Sequence, residues 1–219
     1  MKIKSALISV FNKEGIDQLA LALAKNNVTI YSTGGTQTYL ENLGLKVLAV
    51  EDQTNYPPVF GGRVKTLHPA IFGGILFRRG LESDQKERET HKIPEIDLVV
   101  VDLYPFEDTV ASGASHEDII EKIDIGGVSL IRAAAKNHKD VVIVSSKNQY
   151  AKVTEHYIAN NGETELSFRS ELAKEAFQNT THYDNAIASY FAGDKTMPLR
   201  YGENPHQKAE FQGNLDNIF

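Results

Sequence analysis

The apolar segment "IDLVVVDLY" at residues 96–104 is the feature that most constrains the fold. Such near-continuous apolar strands are typical of parallel sheets that helices cover on both faces, whereas a strand with one solvated face alternates apolar and polar residues. Pro105 ends the run, because proline cannot donate a hydrogen bond to a neighbouring strand. The segment therefore predicts a fully buried strand of a parallel sheet.

Further strands and helices alternate along the chain. Apolar runs predict strands at 3–10, 28–33, 45–50 and 141–146. Helical spacing of apolar residues predicts helices at 15–26, 36–43, 116–123 and 128–138. This order predicts an α/β fold, a three-layer parallel sheet with helices on both faces, whose ligand binds beyond the carboxyl ends of the strands.

The composition changes towards the end of the sequence. Residues 78–94 are polar and mixed in charge, which predicts a solvated helix or loop, and residues 165–192 are predicted to be helical in two pieces. From Gly193 onward glycine, proline and asparagine are frequent and helical periodicity is absent. We therefore predict one domain over 1–192, followed over 193–219 by a linker or by the first turns of a further domain.

Composition excludes several classes of function. The 219 residues carry a net charge of −6, which argues against a nucleic-acid-binding protein, and no cysteine is available for disulfides, thiolate metal sites or nucleophilic catalysis. No apolar run approaches the roughly 20 residues of a membrane span. The seven histidines show no metal-ligand spacing. We expect a cytoplasmic protein without a metal or membrane partner.

Two glycine-rich motifs predict an anion site. "STGGT" offers Thr33, Gly34, Gly35 and Thr36 at a helix start, and "GGRVKTLHP" at 61–69 is strongly basic. Alone, the first motif is better explained as a tight turn with a threonine N-cap, and the second could be an exposed basic loop. Together with Lys13 after the first strand, they favour a phosphate monoester at a helix N-terminus. Neither the P-loop nor the dinucleotide pattern is present, so a mononucleotide or sugar phosphate is predicted.

Three further positions lie at the end of a predicted strand or near the start or end of a predicted helix, and each has two interpretations. Tyr104 is either a half-buried aromatic or a hydrogen-bond donor to the ligand. Asp124 is either a helix cap or part of a site formed with the backbone N–H groups that follow it. Lys136 is either a solvated lysine at a helix end or a residue brought to the site by close packing of the alanines before it. His68 is interpreted as structural.

Six motifs together resemble a known family: "SVFNK", "STGGT", "GGRVKTLHP", "DLYPF", "IDIGGVSLIRAAAKNH" and "LRYGENPHQ". The chain resembles the bifunctional purine-biosynthesis family that joins inosine monophosphate (IMP) cyclohydrolase to 5-aminoimidazole-4-carboxamide ribonucleotide (AICAR) transformylase. Residues 1–192 are similar to the cyclohydrolase domain, and residues 199–207 to the start of the transformylase domain. The resemblance implies a methylglyoxal-synthase-like fold and a piece of a protein more than twice as long, which forms a homodimer.

The resemblance also implies a substrate and a reaction. The substrate is 5-formamidoimidazole-4-carboxamide ribonucleotide, a purine precursor whose carboxamide nitrogen attacks its own formyl carbon to give IMP and water. The cyclohydrolase needs no cofactor, and 10-formyltetrahydrofolate serves only the transformylase. Arg200 and Tyr201 correspond to a substrate-binding pair of that second activity.

Site residues are carried over position by position. The resemblance implies phosphate binding by Lys13, Thr33, Gly34, Gly35, Thr36, Arg63 and Thr66, and base binding by Asp102, Ile125, Gly126 and Gly127. It implies catalytic roles for Lys65, Tyr104, Asp124 and Lys136. Our hypothesis is that Lys136 shuttles a proton while Asp124 holds or polarises it, and the variant Lys136→Ala tests it.

The sequence departs from the family at two positions and leaves two other functions open. Phe11 stands where serine is frequent, which removes a hydroxyl contact, and Asp102 stands where asparagine is frequent, which removes a donor. A methylglyoxal-synthase-like lyase would share the phosphate loops. A regulatory module that binds a nucleotide would need those loops but neither Tyr104 nor Lys136.

Overall fold

The computed structural model describes residues 1–193 and, for the backbone alone, residues 196–199 and 209–212. The chain divides into two compact units. The first consists of Met1–Tyr104 and Asp124–Thr180, and the second of Pro105–Ile123 and Thr181–Phe219. The predicted residues Arg200 and Tyr201, and most of the predicted linker, lie outside the described part, so the domain boundary at 192 stays a prediction.

A five-stranded parallel sheet forms the centre of the first unit. Its strands are β1 (Ser5–Ser9), β2 (Thr29–Ser32), β3 (Val47–Ala49), β4 (Leu98–Val101) and β5 (Val142–Val144), in the spatial order β3-β2-β1-β4-β5. All four pairings are parallel. Every residue of β4 and β5 is buried, as the apolar runs predict. The α/β fold with a parallel sheet is confirmed.

Among residues 1–193, ten α-helices surround or follow these strands. They are α1 (Ile16–Lys25), α2 (Gly34–Asn42), α3 (Val50–Thr54), α4 (Pro69–Leu76), α5 (Glu82–Thr90), α6 (Phe106–Ala111), α7 (His116–Glu121), α8 (Gly126–Lys136), α9 (Tyr150–Ala159) and α10 (Leu166–Ala192). Short 3-10 turns occupy Phe60–Gly62 and Lys147–Gln149. The prediction of two helical pieces at 165–192 is wrong, because no glycine or proline interrupts that stretch and α10 is continuous.

Helices cover both faces of the sheet. From β1 the chain crosses through α1 to β2 on one side, and from β4 it crosses through α8 to β5 on the other side. Because parallel crossovers are right-handed, these two helices lie on opposite faces. Consistently, α1 packs against α9, whereas α8 packs against α4. The loops that follow the strands lie at the carboxyl edge of the sheet.

The second unit contains α6, α7 and the end of α10. Within it, the Phe106 ring packs edge-on against Tyr183 and Tyr190. An antiparallel pair, β6 (Thr196–Leu199) and β7 (Ala209–Gln212), belongs to the same unit. Across the residues that the structure describes, no helix combines the length and apolarity needed to cross a bilayer.

Candidate functional site

The start of α2 forms the centre of a group of backbone N–H groups and lysines that is suited to an anion and is called the anion cradle below. Gly34 and Gly35 follow β2 directly, and Gly34 has a left-handed φ of 55°, which favours glycine. The first hydrogen bond back to the cap is the one from Gln37 N to Thr33 O, at 3.4 Å. The N–H groups before Gln37 have no partner inside the helix and lie at the positive end of its dipole.

Two lysines lie beside this helix start. Lys65 Nζ is 3.6 Å from the point that a β-carbon on Gly34 would occupy, and Lys13 Nζ is 3.9 Å from the equivalent point on Gly35. Lys13 Nζ also donates to Phe11 O at 2.8 Å, which fixes its direction. The structure thus brings together both predicted lysines and both predicted glycines, in an arrangement suited to a phosphate group.

The hydroxyl groups of the two threonines are used inside the protein. Thr33 Oγ1 donates to Glu51 Oε1 at 2.6 Å. Thr36 Oγ1 donates to Val10 O at 2.9 Å and accepts from Val10 N at 3.1 Å. Both threonines are buried. Any phosphate contact at Thr36 therefore comes from its backbone N–H. The Thr33 hydroxyl already donates its proton in the hydrogen bond to Glu51.

The basic motif forms a closed loop that leads into the site. Val59 and Val64 pair through the bond from Val59 N to Val64 O at 3.1 Å, and Arg63 is exposed within this loop. Thr66 is buried, with its Oγ1 3.3 Å from the β-carbon position of Gly126. The loop thus reaches the start of α8.

His68 has the structural role expected of it. Its Nδ1 caps α4 by accepting from Ala70 N at 3.1 Å, and Pro69 occupies the first turn of that helix. The histidine and proline of the basic motif therefore hold the end of the loop.

Asp102 holds the loop that follows β1. Its carboxylate accepts hydrogen bonds from Phe11 N and from Asn12 N, the latter at 2.9 Å. Burial raises the pKa of this carboxyl, and the two backbone N–H groups oppose the rise. Both oxygens are engaged with the backbone, so the predicted contact between Asp102 and the base stays a prediction.

Asp124 lies in the loop before α8, close to the backbone N–H of Tyr104, which follows β4. Its Oδ1 accepts from Gly127 N at 2.6 Å. Burial raises the pKa of the Asp124 carboxyl, and the backbone N–H groups of Gly127 and Tyr104 and the charge of Lys65 partly offset that rise. A carboxylate with a raised pKa is a better proton acceptor than an ordinary surface aspartate.

Tyr104 stays protonated near neutral pH. Burial, followed by the negative charge of Asp124, raises the pKa of its phenol. The side chain is still 37% exposed, so a ligand at the carboxyl edge has access to it. Its ring packs edge-on against Phe11, with the ring centroids 5.3 Å apart. The Tyr104 hydroxyl can thus donate a hydrogen bond, and the Asp124 carboxylate can accept a proton, at the same edge of the sheet.

The first residues of α8 add backbone donors beside Asp124. Ile125 is the N-terminal cap, and Gly126 and Gly127 form the start of the helix. A β-carbon on Gly127 would lie 2.6 Å from Asp124 Oδ2, so glycine is required there for the carboxylate to keep its place.

Lys136 does not join this group. It is the last residue of α8, and this helix of 11 residues is about 16 Å long at 1.5 Å per residue. The adjacent Asn137 donates to Ile75 O and Phe77 O, and Val142 N of β5 bonds to Asp97 O before β4. Lys136 therefore lies at the amino edge of the sheet. The structure does not bring the Lys136 ammonium to Asp124 within one copy of the chain, and the hypothesis that these two residues share a proton stays a prediction.

The sequence motifs did not identify Glu51, and they identified Phe11 only as a departure from the family, without its contact to Tyr104. Glu51 follows β3 and binds Thr33, and the Phe11 ring packs on Tyr104. Both follow a strand, which is the signal by which they were detectable. Among the described residues, no group of three or more histidines and carboxylates is arranged to hold a metal ion.

Protein-family comparisons match most of the chain to two families. Residues 15–129, more than half of the sequence, match the MGS-like domain. Residues 134–217 match the AICARFT/IMPCHase bienzyme. The chain therefore shows similarity to the family that the six motifs resemble.

Curated relatives and a solved structure point the same way. The chain is 56% identical, over all of its length, to 45% of the bifunctional purine biosynthesis protein PurH of Bacteroides thetaiotaomicron. It is 48% identical over 94% of its length to 42% of the PurH of Rhodopirellula baltica. It thus spans less than half of these relatives. A crystal structure of ForH, 33% identical, superposes with a TM-score of 0.74 over 86% of this chain and 96% of that chain.

Proposed function

Because the chain belongs to the MGS-like domain family, we propose that it is an IMP cyclohydrolase, which closes the ring of 5-formamidoimidazole-4-carboxamide ribonucleotide to IMP. The observation that carries this proposal is the anion cradle of Gly34, Gly35, Lys13 and Lys65, with Tyr104 and Asp124 at the same sheet edge. The relatives named bifunctional PurH support the choice of substrate. The product belongs to de novo purine biosynthesis.

The 5′-phosphate of this ribonucleotide suits the cradle. Its oxygens accept from the backbone N–H groups at the start of α2 and from Lys13, with Arg63 closing the site from its loop. The reacting end then extends towards Tyr104, Asp124 and the first N–H groups of α8. Lys65 lies between the two ends, since its Nζ is 3.6 Å from the point that a β-carbon on Gly34 would occupy and its charge lowers the pKa of Asp124.

Both reacting groups are on one molecule, so the protein has to hold the attacking geometry and move protons. Asp124 accepts a proton from the carboxamide nitrogen as that nitrogen bonds to the formyl carbon. Tyr104 and Lys65 donate hydrogen bonds to the formyl oxygen as negative charge develops on it. That oxygen leaves as water with this proton and the proton of the formamido nitrogen, which balances the reaction.

Lys136 takes no step in this mechanism for a single copy. Its position at the far end of α8 separates it from the reacting groups. A loss of ring closure in Lys136→Ala, with the fold intact, would indicate that the ammonium reaches the site of a second copy. In the longer protein we propose a homodimer, with formyl transfer from 10-formyltetrahydrofolate carried out by the remaining part.

Ring closure is tested directly with the purified chain. The formylated ribonucleotide is added without any cofactor, and ultraviolet absorbance is followed for formation of the purine ring. Product formation above the uncatalysed rate supports the proposal. Binding of the ribonucleotide without turnover would indicate a regulatory module, and methylglyoxal from dihydroxyacetone phosphate would indicate a lyase.

Removal of the Lys13 charge is expected to weaken substrate binding. We expect Lys13→Met to raise KM about tenfold or more while kcat changes less than about threefold, because a charge-assisted hydrogen bond to phosphate contributes equally before and during reaction. Steady-state kinetics and the Kd for IMP measure both effects. Lys25→Met, which removes an exposed lysine at the end of α1, is the matched control. Equal KM values for the two variants would contradict the phosphate assignment.

A further inference from the structure

We propose that Phe11 is a positioning residue, which holds the Tyr104 ring in the orientation that ring closure requires. This inference rests on the function proposed above. Phe11 follows β1 and Tyr104 follows β4, and these two strands are hydrogen-bonded neighbours. The two loops therefore leave the sheet side by side, and the rings meet at 5.3 Å with an angle of 83° between their planes.

The geometry of this pair favours a mutual constraint. An edge-to-face arrangement places the positive edge of one ring on the negative face of the other, at a separation inside the preferred range. Tyr104 is 37% exposed and Phe11 is 44% exposed, so the edge-to-face pair lies where a ligand at the carboxyl edge can reach it. The contact limits the rotation of a tyrosine whose hydroxyl has to meet the formyl oxygen.

Phe11 is itself held on both sides by its backbone. Its N–H donates to the Asp102 carboxylate, and its carbonyl oxygen accepts from Lys13 Nζ at 2.8 Å. These bonds do not involve the aromatic ring. A substitution of the side chain thus leaves the anchoring atoms present, and removes the surface against which the Tyr104 ring packs.

This arrangement links the two ends of the proposed substrate site. Lys13 and Phe11 belong to the same loop. Lys13 lies at the anion cradle, and the Phe11 ring packs against Tyr104. A change in the Phe11 ring is therefore expected to affect the chemical step more than binding, because Lys13 is fixed through the main chain. A ring that stacked on the substrate would instead affect affinity.

The experiment measures ring closure by the full chain carrying Phe11→Ala, Phe11→Leu or Phe11→Tyr. We expect kcat to fall about two- to tenfold in the alanine and leucine variants, while KM changes less than about twofold. Phe11→Tyr keeps the ring and is expected to restore most of kcat. Leu21→Ala removes an apolar side chain of similar exposure on α1 and serves as the control, and thermal unfolding monitors the fold of each variant.

A double-mutant cycle shows whether Phe11 acts through Tyr104. In the Tyr104→Ala background, Phe11→Ala is expected to cause no further decrease in kcat. An equal decrease in both backgrounds would overturn the inference, as would an unchanged kcat with a weaker Kd for IMP. Absence of ring closure in the unsubstituted chain would instead refute the proposed function, so the two failures are distinguishable.

Discussion

Asp124→Asn is expected to lower kcat for ring closure by about 10²- to 10⁴-fold, the usual contribution of a positioned proton acceptor. Asparagine keeps the shape of the side chain and an oxygen that accepts from Gly127 N, a bond that is 2.6 Å long in this structure. The substitution therefore removes the proton acceptor while leaving the start of α8 supported. Single-turnover absorbance measurements separate this effect from substrate binding.

The pH dependence provides a second measure of the same residue. Burial raises the pKa of Asp124 above its ordinary value, so the acid limb of the kcat profile is expected above the pH of a surface aspartate. Activity falls as pH drops through this pKa, because the protonated acid cannot accept a proton. Asp124→Asn is expected to abolish this limb.

The free energy of unfolding is expected to change with pH in the opposite direction to activity. In the folded state the raised pKa favours the protonated acid, so the folded chain binds the proton more tightly than the unfolded chain. Between the unfolded and folded pKa values, stability therefore decreases as pH rises. Asp124→Asn removes this penalty, and its free energy of unfolding at neutral pH is expected to equal or exceed that of the unsubstituted chain.

Asp108→Asn is the control for this variant, because Asp108 is an exposed aspartate in the first turn of α6. It is expected to keep normal kcat and normal pH dependence. If Asp124→Asn retained kcat within about threefold, or lost activity only by unfolding, the role of proton acceptor would belong to another group.

The sheet and the anion cradle were predictable because they depend on short-range patterns. The buried run at 96–104 requires helices on both faces, and the glycines after β2 require a turn into a helix. In a parallel sheet, every loop that follows a strand emerges at the same edge. Lys13, Gly34 and Gly35 could therefore be placed together without knowledge of any side-chain contact.

The hydrogen-bond partners of individual side chains could not be predicted from such short-range patterns. Thr33 and Thr36 occupy the expected turn, yet their hydroxyls bind Glu51 and the backbone of Val10. Glu51 is distant in sequence, and no spacing rule relates it to Thr33. A hydroxyl near a ligand site has several possible partners, and only three-dimensional packing decides among them.

The distance between Lys136 and Asp124 depends on a different property of the sequence. The alanines before it do pack closely, since Ala133, Ala134 and Ala135 are buried. Close packing fixes which face of a helix meets the sheet, but it does not shorten the helix. The rise of α8 carries Lys136 away from Asp124 whatever the packing. The helix length was available in the sequence, where the pattern already predicted a helix over 128–138.

Gly127→Ala is expected to reduce kcat by about 100-fold, because a displacement of about 1 Å in a catalytic group costs that much. The added β-carbon would lie 2.6 Å from Asp124 Oδ2 and 3.0 Å from Asp124 Cγ, so the carboxylate has to move. The helix itself should tolerate alanine, which has a higher helix propensity than glycine. The free energy of unfolding and the kinetics of ring closure are measured for the same sample.

Gly126→Ala is the matched control on the same helix turn. Its β-carbon would meet only Thr66 Oγ1, at 3.3 Å, and this contact requires a shift of a few tenths of an ångström. We expect its kcat to fall several-fold less than that of Gly127→Ala. Equal losses in both variants would indicate that the backbone N–H groups of α8, and not the position of the Asp124 carboxylate, limit ring closure. A normal kcat in Gly127→Ala would show that the carboxylate position is not critical, and would remove the main geometric argument for Asp124 as the proton acceptor.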